Sequence, residues 1–431
     1  MDASAPRSSR GADAQAAAVA AARSSYGRMV AWLAWQWRDI AAAEDAMGEA
    51  FASALLRWPA EGIPASPEGW LMTAAKRQLL MAARRQRLAE DPTLTVLWPT
   101  EGDIAPEQAP IPDDRLRLLF VCTHPAIDAA SRSALMLQTV LGIDAARIAS
   151  AFLVAPQAMA KRLVRAKAKI KASGIRFEVP AADELEPRVQ AVLEAIYGAY
   201  VLDVPHHPEE PGSDLAQEAL FLAGLVVELM ATHLPGHAEA LGLLALLQFC
   251  EGRKPARHDA QGRFVPLDEQ DCGRWDSCLI DAAHAALARA AALSDPGPFQ
   301  IEAAIQAAHC HRAVSGSTPW VEITALYERL LATAPTIGAQ IGHAIALAQA
   351  RDDPAAGLRC LDAIDAKAVV SHQPWWAARM HFLQALGRRA EAQEAGGRAL
   401  ALTADPALRA FLAARLQRDG PAPLRSGSTA D

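Results

Sequence analysis

Residues 144–172 read DAARIASAFLVAPQAMAKRLVRAKAKIKA, and this stretch determines how the rest of the chain is interpreted. Apolar side chains recur there at spacings of three and four, which predicts two helices separated by a short turn at 153–155. Asp144 is placed to cap the first helix, and Pro156 suits the first turn of the second, where its missing N–H costs nothing. The stretch therefore predicts a helix-turn-helix.

Positive charge is concentrated around this motif, because residues 145–177 contain eight Lys and Arg and no Asp or Glu. In a helix-turn-helix the second helix enters the major groove of DNA, and basic side chains neutralise phosphates. The pattern favours DNA binding, although an amphipathic helix with a solvated basic face shares it. On the second helix Met159, Leu163 and Ile170 share an inward face, which leaves outside it Gln157, Lys161, Arg162, Arg165 and Lys169.

The charge of the chain is divided unevenly along its 431 residues. The net charge is −7, which by itself argues against a nucleic-acid binder. Residues 1–180 nevertheless carry a net +4, and residues 181–431 carry −11. A basic part joined to an acidic part indicates one module that faces a polyanion and a separate second module.

An all-α fold is predicted throughout, because alanine and leucine dominate and alternating β-branched patterns are almost absent. Proline-rich stretches divide the chain, and one of them, 58–67, is expected to be a loop. Within the C-terminal part, Trp375 to Leu402 resembles one tetratricopeptide-type helix pair. The expected organisation is a disordered lead at 1–22, a helical module at 23–90, a linker at 91–112, the helix-turn-helix module at 113–175, a connector at 176–186 and a helical-repeat domain at 187–431.

The first module combines an acidic helix with a basic one. The basic helix is formed by residues 76–87, and the acidic-apolar helix carries Glu44, Asp45, Glu49 and Phe51. An acidic-apolar helix suits a protein partner, and a basic helix suits a nucleic acid. A helical bundle with an ordinary charged exterior would show the same pattern.

Several other classes of protein are not indicated. The six cysteines are scattered without CxxC spacing, as in a reduced cytoplasmic protein, and neither a signal peptide nor a membrane span is evident. The His309-Cys310-His311 run has the wrong spacing for zinc, because alternate residues on a helix face different ways. No nucleotide-binding, metalloprotease or hydrolase motif is present, so we expect no enzyme activity, no metal and no cofactor.

A family resemblance rests on several separated motifs in order. The chain resembles extracytoplasmic-function RNA polymerase sigma factors in two regions. The resemblance to their region 2 lies in residues 43–51, Trp58-Pro59 and residues 67–71, and the resemblance to their region 4 lies in residues 118–126 and 148–170. Residues 253–276 resemble a motif of the subgroup that has a C-terminal extension of tetratricopeptide-like helices. The resemblance covers nearly the whole chain after about residue 25.

The resemblance implies a sigma factor that binds core RNA polymerase, through its β′ coiled coil and β flap, and directs transcription from specific promoters. The helix carrying Glu44, Asp45, Glu49 and Phe51 would grip polymerase, and the second helix of region 4 would read the −35 element. The extension would modulate activity, in response to a regulator that the sequence does not identify. The −10 element would be contacted by Lys76, Arg77, Gln78, Arg84 and Arg85.

The chain also departs from the family pattern. Residues 76–81 replace the stretch that usually precedes the Arg-Arg pair of region 2, and Tyr197 to Asp203 stand where relatives carry a Phe-Asn-Glu-Gly-Tyr motif. The alternative is therefore a diverged sigma-like protein that acts through its helical repeats without reading a promoter.

The segment from Arg253 to Asp271 is long for a connection between two helices, where two to eight residues are usual. Loops of that length are more often functional than idle. We expect a regulatory loop that lies against region 2, region 4 or their linker; the alternative is a loop that only braces its own helical domain. The residues expected to act are Asp268, Asp271, Arg274 and Trp275.

Overall fold

The structure is a computed structural model that describes residues 6–90, 113–152, 154–203, 215–235, 237–293 and 296–417. Within these ranges it contains 20 α-helices, short 3-10 helices and one isolated β-bridge, between His258 and Phe264. The all-α fold expected from the sequence is confirmed. The linker expected at 91–112 lies outside the described residues.

The chain divides into two compact units, of which unit 1 comprises residues 1–202 and 213–222. Its helices, in chain order, are α1 Pro6–Trp37, α2 Ile40–Glu61, α3 Pro67–Glu90, α4 Arg115–Cys122, α5 Ala129–Thr139, α6 Ala145–Ala151, α7 Pro156–Ala172, α8 Ala182–Asp203 and the start of α9 Leu215–His233.

The beginning of α1 differs from the sequence prediction. We expected a disordered lead over residues 1–22, but the helix begins at Pro6. Ala14, Ala18 and Ala21 recur at helical spacing and are 0–5% exposed, so this alanine-rich stretch buries one face. Alanine also has the highest helix propensity, which favours the same outcome.

The expected loop at 58–67 is shorter than predicted, because α2 continues through Pro59 to Glu61. A proline removes one backbone hydrogen bond and is costly in the middle of a helix, but Pro59 lies in the last turn. Gly62, with φ of 91°, then ends the helix. The buried Trp58 ring packs edge-on against Trp70 at 5.5 Å, which joins α2 to α3.

The helix α8 packs with unit 1, although we expected the third domain to begin at residue 187. Arg188 is 7% exposed and reaches α4, where its guanidinium donates to the Phe120 carbonyl and to the Thr123 hydroxyl. Arg115 at the start of α4 likewise pairs with Asp113 and with Glu218 of α9. The compact units thus divide later in the chain than the predicted start of the extension.

The helix α9 is the one helix of the described ranges that is long and apolar enough to cross a membrane by length and composition. Buried helices of water-soluble proteins also pass that test. Ala219, Leu222, Ala223 and Val226 are 0% exposed, so one face of α9 is buried, while Phe221 on another face is 48% exposed.

Unit 2 comprises residues 203–212 and 223–431. After the second part of α9 its helices are α10 Ala238–Gly252, α11 Ser277–Ala291, α12 Pro298–Cys310, α13 Arg312–Ser315, α14 Trp320–Thr333, α15 Ile337–Arg351, α16 Pro354–Asp362, α17 Ala366–Val369, α18 Gln373–Ala385, α19 Arg389–Ala401 and α20 Pro406–Gln417.

Small residues bring the helices of unit 2 close together. A Cβ at Gly242 of α10 would lie 2.6 Å from the backbone nitrogen of Gln300, so the backbones of α10 and α12 are in direct contact. The helix pair expected from Trp375 to Leu402 is present as α18 and α19, with Gly387 at φ of 71° in its turn.

Candidate nucleic-acid interface

The helix-turn-helix of unit 1 consists of α6 and α7. Asp144 caps α6 as expected, since its carboxylate accepts from the backbone N–H groups of Ala146 and Arg147 at 2.9 Å. Pro156 occupies the first turn of α7. The two helices therefore begin where the sequence predicted.

The inward face of α7 is also the expected one. Met159, Leu163 and Ile170 are 0–1% exposed, and Ala166 completes the buried row. They pack against α5 and α6 and, toward the end of α7, against α2. This packing fixes which side of α7 can meet a partner.

The outward face of α7 presents the basic side chains. Gln157, Lys161, Arg165 and Lys169 are exposed, whereas Arg162 is half-buried and its Nη1 donates to the Ala130 carbonyl at 3.4 Å. Within the described part of the chain, the three exposed cations form no ion pair. A row of cations without carboxylates gives a local positive potential, which is what a phosphate backbone requires.

Val164 also belongs to the outward face, and sequence reasoning missed it. Its side chain is 66% exposed, three residues after Lys161 and next to Arg165. The signal was its position, since residues three and four apart share a helix face. An exposed aliphatic group in this place is suited to contact a thymine methyl group.

The residues expected to act on the basic helix α3 differ in their exposure to solvent. Arg84 and Arg85 are exposed, whereas Lys76, Arg77 and Gln78 are half-buried. The Lys76 ammonium lies 4.3 Å from the centroid of the Trp32 ring, in a cation–π contact. Only the C-terminal part of α3 thus presents charge fully to solvent.

Glu44, which we expected to contact a protein partner, is engaged inside unit 1. Its carboxylate pairs with Lys167 of α7, and one turn later Lys171 pairs with Asp39 at 2.7 Å between Nζ and Oδ2. Burial raises the pKa of Glu44, while Lys167 lowers it. Burial likewise raises the pKa of Tyr26, with the charges of Glu44 and Asp45 adding to the effect.

The open face of α2 carries the remaining expected residues and two that were not expected. Asp45 and Glu49 are exposed one turn apart, and Phe51 is half-buried, 6.3 Å from the Tyr26 ring. Leu55 is 47% exposed, and Leu56 is 80% exposed. The face is acidic at its start and apolar at its end, as a protein-binding helix requires.

The segment from Arg253 to Trp275 is held within unit 2 mainly by Arg312. The Arg312 guanidinium donates to the carbonyls of Leu267, Asp268 and Gln270 at 2.9–3.1 Å and lies 5.5 Å from the centroid of the Trp275 ring. Short 3-10 helices at Lys254–Ala256, Leu267–Glu269 and Cys272–Arg274 shape the segment.

The residues expected to act in this loop are held within unit 2. Arg312 holds the carbonyl of Asp268, and contacts inside the segment hold Asp271, Arg274 and Trp275. Trp275 is 7% exposed, and its indole N–H donates to the Gln270 side chain at 3.2 Å. Arg274 donates to the His258 carbonyl, and the Asp271 carboxylate accepts from the Gly273 N–H. These contacts fit the alternative in which the loop braces its own domain. The expected contact with the sigma-like regions stays a prediction.

The histidines and cysteines of the described ranges form no group that could hold a metal ion. The His309 ring packs edge-on against Trp320 at 5.5 Å. Burial, with help from Arg253 and Arg312, lowers the pKa of His309 to about 4. This histidine is therefore a neutral core residue at pH 7.

Comparison with known proteins identifies two similarities. Residues 188–291, from α8 to the end of α11, match a family of unknown function (DUF6596), and this match includes the segment held by Arg312. An uncharacterized protein of Rhizobium meliloti (strain 1021), R00370, is 35% identical over 391 residues, which cover 89% of this chain and 90% of that protein. No solved structure matches the chain.

Proposed function

We propose that this chain, which belongs to the same family as R00370 of Rhizobium meliloti, is a transcription initiation factor of the extracytoplasmic-function sigma type. It binds core RNA polymerase in the cytoplasm and brings it to promoter DNA, and polymerase carries out the chemistry. The observation that carries the proposal is the α6–α7 helix-turn-helix, whose exposed cations on α7 form no ion pair with any residue that the structure describes.

The α7 helix would enter the major groove with its first turns toward the bases. Gln157 at the start of α7 can pair with an adenine edge, and Arg165 can pair with a guanine edge. Val164 lies between them for a thymine methyl group, while Lys161 and Lys169 reach phosphates. Phosphate contacts set affinity and position, and base contacts set specificity. The −35 element would be read in this way.

Polymerase would bind the open face of α2, which carries Asp45, Glu49 and Leu56. Rim carboxylates favour encounter with a basic partner surface, and an exposed leucine supplies apolar area to bury. Arg84 and Arg85, at the end of α3, would face the −10 element. Unit 2 would modulate the activity of the sigma portion.

Co-purification with core RNA polymerase tests this assignment. The full chain and an Asp45→Lys/Glu49→Lys variant are each mixed with core polymerase and separated by size. We expect the wild type to bind and the variant to lose at least tenfold in affinity, because two favourable charges become repulsive. The matched control reverses two exposed carboxylates of α8, Asp183→Lys/Glu186→Lys, and should bind like the wild type. Wild-type affinity in the α2 variant, with its helical circular dichroism intact, would contradict the assignment.

A second candidate function is a protein-interaction scaffold that keeps a sigma-like fold without reading promoters. This function is favoured by two contacts inside unit 1. Glu44 forms an ion pair with Lys167, and the Lys76 ammonium lies over the Trp32 ring, so both side chains are engaged within the fold. A scaffold would bind core polymerase weakly or not at all, whatever charges α2 carries. The wild-type arm of the co-purification experiment therefore separates the two functions.

A further inference from the structure

A cavity of about 270 Å³ lies between three helices of unit 2, and none of its residues belongs to the proposed DNA or polymerase surfaces. Each helix contributes one turn to its walls, because residues three or four apart share a helix face. The lining residues stand at this spacing, namely Leu287 and Ala291 on α11, Gln300 and Ala304 on α12, and Leu326 and Arg329 on α14. Small-molecule sites in proteins begin at about 300 Å³, so the cavity suits a small ligand.

Gln300 gives this cavity a hydrogen-bonding group that the fold leaves unused. The residue is 5% exposed, and its Oε1 is buried and has no hydrogen-bond partner among the described residues. Nearly all buried polar groups in proteins have a partner, so an acceptor without one indicates a missing donor. The terminal amide turns easily about its last torsion, which lets this oxygen reach a donor placed in the cavity.

Arg329 supplies a positive charge at the rim of the cavity. Its side chain is exposed, and it forms no ion pair within the ranges that the structure describes. None of the described lining residues carries a carboxylate. The guanidinium is therefore available to a carboxylate from outside the chain, which it can hold through two parallel N–H···O bonds.

The other walls of the cavity are apolar. Ile301 is 3% exposed and belongs to a core cluster with Ile305 and Ile323, and Leu326 packs against that cluster. Leu287 and Leu326 are themselves only half-buried, so an apolar group in the cavity would cover surface that water now touches. Such burial favours binding in proportion to the apolar area removed from water.

We infer that unit 2 binds a small aliphatic hydroxy acid in the cavity between α11, α12 and α14. The hydroxyl donates to Gln300 Oε1, the carboxylate pairs with Arg329, and the aliphatic part lies against Leu287, Ile301 and Leu326. A neutral donor fits better than an ammonium group, because an ammonium would add a second cation to a lining without a carboxylate. The site goes beyond the proposed function and does not depend on it; only the use of the ligand as a signal to the sigma portion rests on that function.

Isothermal titration calorimetry of the full chain with 2-hydroxy-4-methylpentanoate tests the inference. We expect one molecule bound per chain with a Kd of about 1 mM or tighter, which a ligand of about nine non-hydrogen atoms can reach. Two probes test the donor: 4-methylpentanoate lacks the hydroxyl, and L-leucine carries an ammonium in its place. Each should bind at least fivefold more weakly. Equal affinity for 4-methylpentanoate, or no saturable binding of the hydroxy acid at about 10 mM, overturns the inference.

An arginine substitution at the rim tests the carboxylate contact without disturbing the core. Arg329→Gln removes the cation and should weaken binding of the hydroxy acid at least tenfold. The matched control is Arg289→Gln, because Arg289 is also exposed and without an ion pair among the described residues, but lines a different cavity, beside Leu234 and Leu293. The control should bind the acid like the wild type. Wild-type affinity in Arg329→Gln overturns the inference.

A third variant, Gln300→Met, separates ligand binding from packing. Methionine is adaptable in cores and removes the unsatisfied acceptor, so without ligand the variant should melt no lower than the wild type. Its affinity for the hydroxy acid should nevertheless fall at least fivefold. A lower melting temperature would mean that Oε1 already has a donor such as water, and this result, like unchanged affinity, overturns the inference. Because none of these measurements uses polymerase, a chain that binds the acid but not polymerase keeps the site and loses only the sigma assignment.

Discussion

The contact between α2 and α7 in unit 1 differs in kind from the contact between α10 and α12 in unit 2. The first uses two ion pairs, and the second carboxylate oxygen of Glu44 is buried without a hydrogen-bond partner among the described residues. The second uses Gly242, which allows two helix backbones to touch. Charged contacts can be exchanged for water or for a partner, whereas close backbone packing cannot be opened without losing the core.

The difference indicates that the two units have different roles. Unit 1 exposes three cations on α7 and joins α2 to α7 through two ion pairs, as expected of a part that binds macromolecules. Unit 2 packs helices on glycine and alanine, as expected of a rigid body. Substitutions on the exposed surface of unit 1 should therefore alter binding to macromolecules, and substitutions in the core of unit 2 should alter the stability of the fold.

The largest expected effect is the acid sensitivity of unit 2. Burial lowers the pKa of His309 and of His381 to about 4, from 6.5. Between those pH values the unfolded chain binds more protons than the folded one, so stability falls as pH falls. Each histidine should remove about 3 kcal/mol between pH 7 and pH 4.

Urea unfolding at several pH values, followed by tryptophan fluorescence, measures this loss. Unit 2 contains four tryptophans, Trp275, Trp320, Trp375 and Trp376, and the Trp320 ring lies against His309. A His309→Gln/His381→Gln variant should show a much weaker dependence on pH below 6.5, whatever its stability at pH 7. An equal dependence in the variant and the wild type would show that other groups control acid unfolding.

A smaller but still large effect is expected at Gly242. A Cβ there would lie 2.6 Å from the Gln300 nitrogen and 2.8 Å from its Cα, so Gly242→Ala should cost about 3 kcal/mol of stability through overpacking. Gly224→Ala in α9 is the control, because a Cβ there meets nothing within 4 Å and alanine raises helix propensity. Thermal unfolding should show a lower midpoint for the first variant alone.

Substitutions on the outward face of α7 should weaken promoter binding and leave the stability of the fold unchanged. Arg165→Ala should weaken promoter binding by about 1–3 kcal/mol if Arg165 contacts a base, or reduce the salt slope by about one if it contacts a phosphate. Arg176→Ala is the control, because its side chain is 81% exposed but lies beyond α7. Fluorescence anisotropy over a range of salt concentrations distinguishes the outcomes, and unchanged affinity and slope in Arg165→Ala would remove α7 from the interface.

The smallest expected effect is at Val164. Val164→Ala deletes two methyl groups from an exposed position, so the fold should be unaffected. Loss of contact with a thymine methyl group should cost about 1 kcal/mol at one position of the site only. Binding to a set of single-base variants of the promoter measures this, and an equal loss at every position would argue against base contact.

Local features of unit 1 were predictable from sequence because their causes are local. Asp144 and Pro156 mark the starts of α6 and α7, and the spacing of Met159, Leu163 and Ile170 identifies the buried face. The role of Glu44 was not predictable. Its partner Lys167 lies 123 residues away, and no local pattern reports such a distance.

Two other features of α2 also differ between the sequence prediction and the structure. Proline predicts an interruption, but α2 continues two residues past Pro59 and ends at Gly62. The expected interface on α2 did not include Leu56, which is 80% exposed. Which apolar residues stay exposed depends on the neighbouring helices, which the sequence does not specify.

Promoter-directed transcription by a reconstituted enzyme tests the central claim most directly. Core RNA polymerase is combined with the full chain on fragments of its own genome, and the 5′ ends of the transcripts are mapped. The account predicts discrete start sites that share an upstream sequence, with the wild-type chain and with Arg176→Ala. The same sites should be lost with Lys161→Ala/Arg165→Ala. Absence of discrete starts with the wild type, or identical starts with the α7 variant, would contradict it.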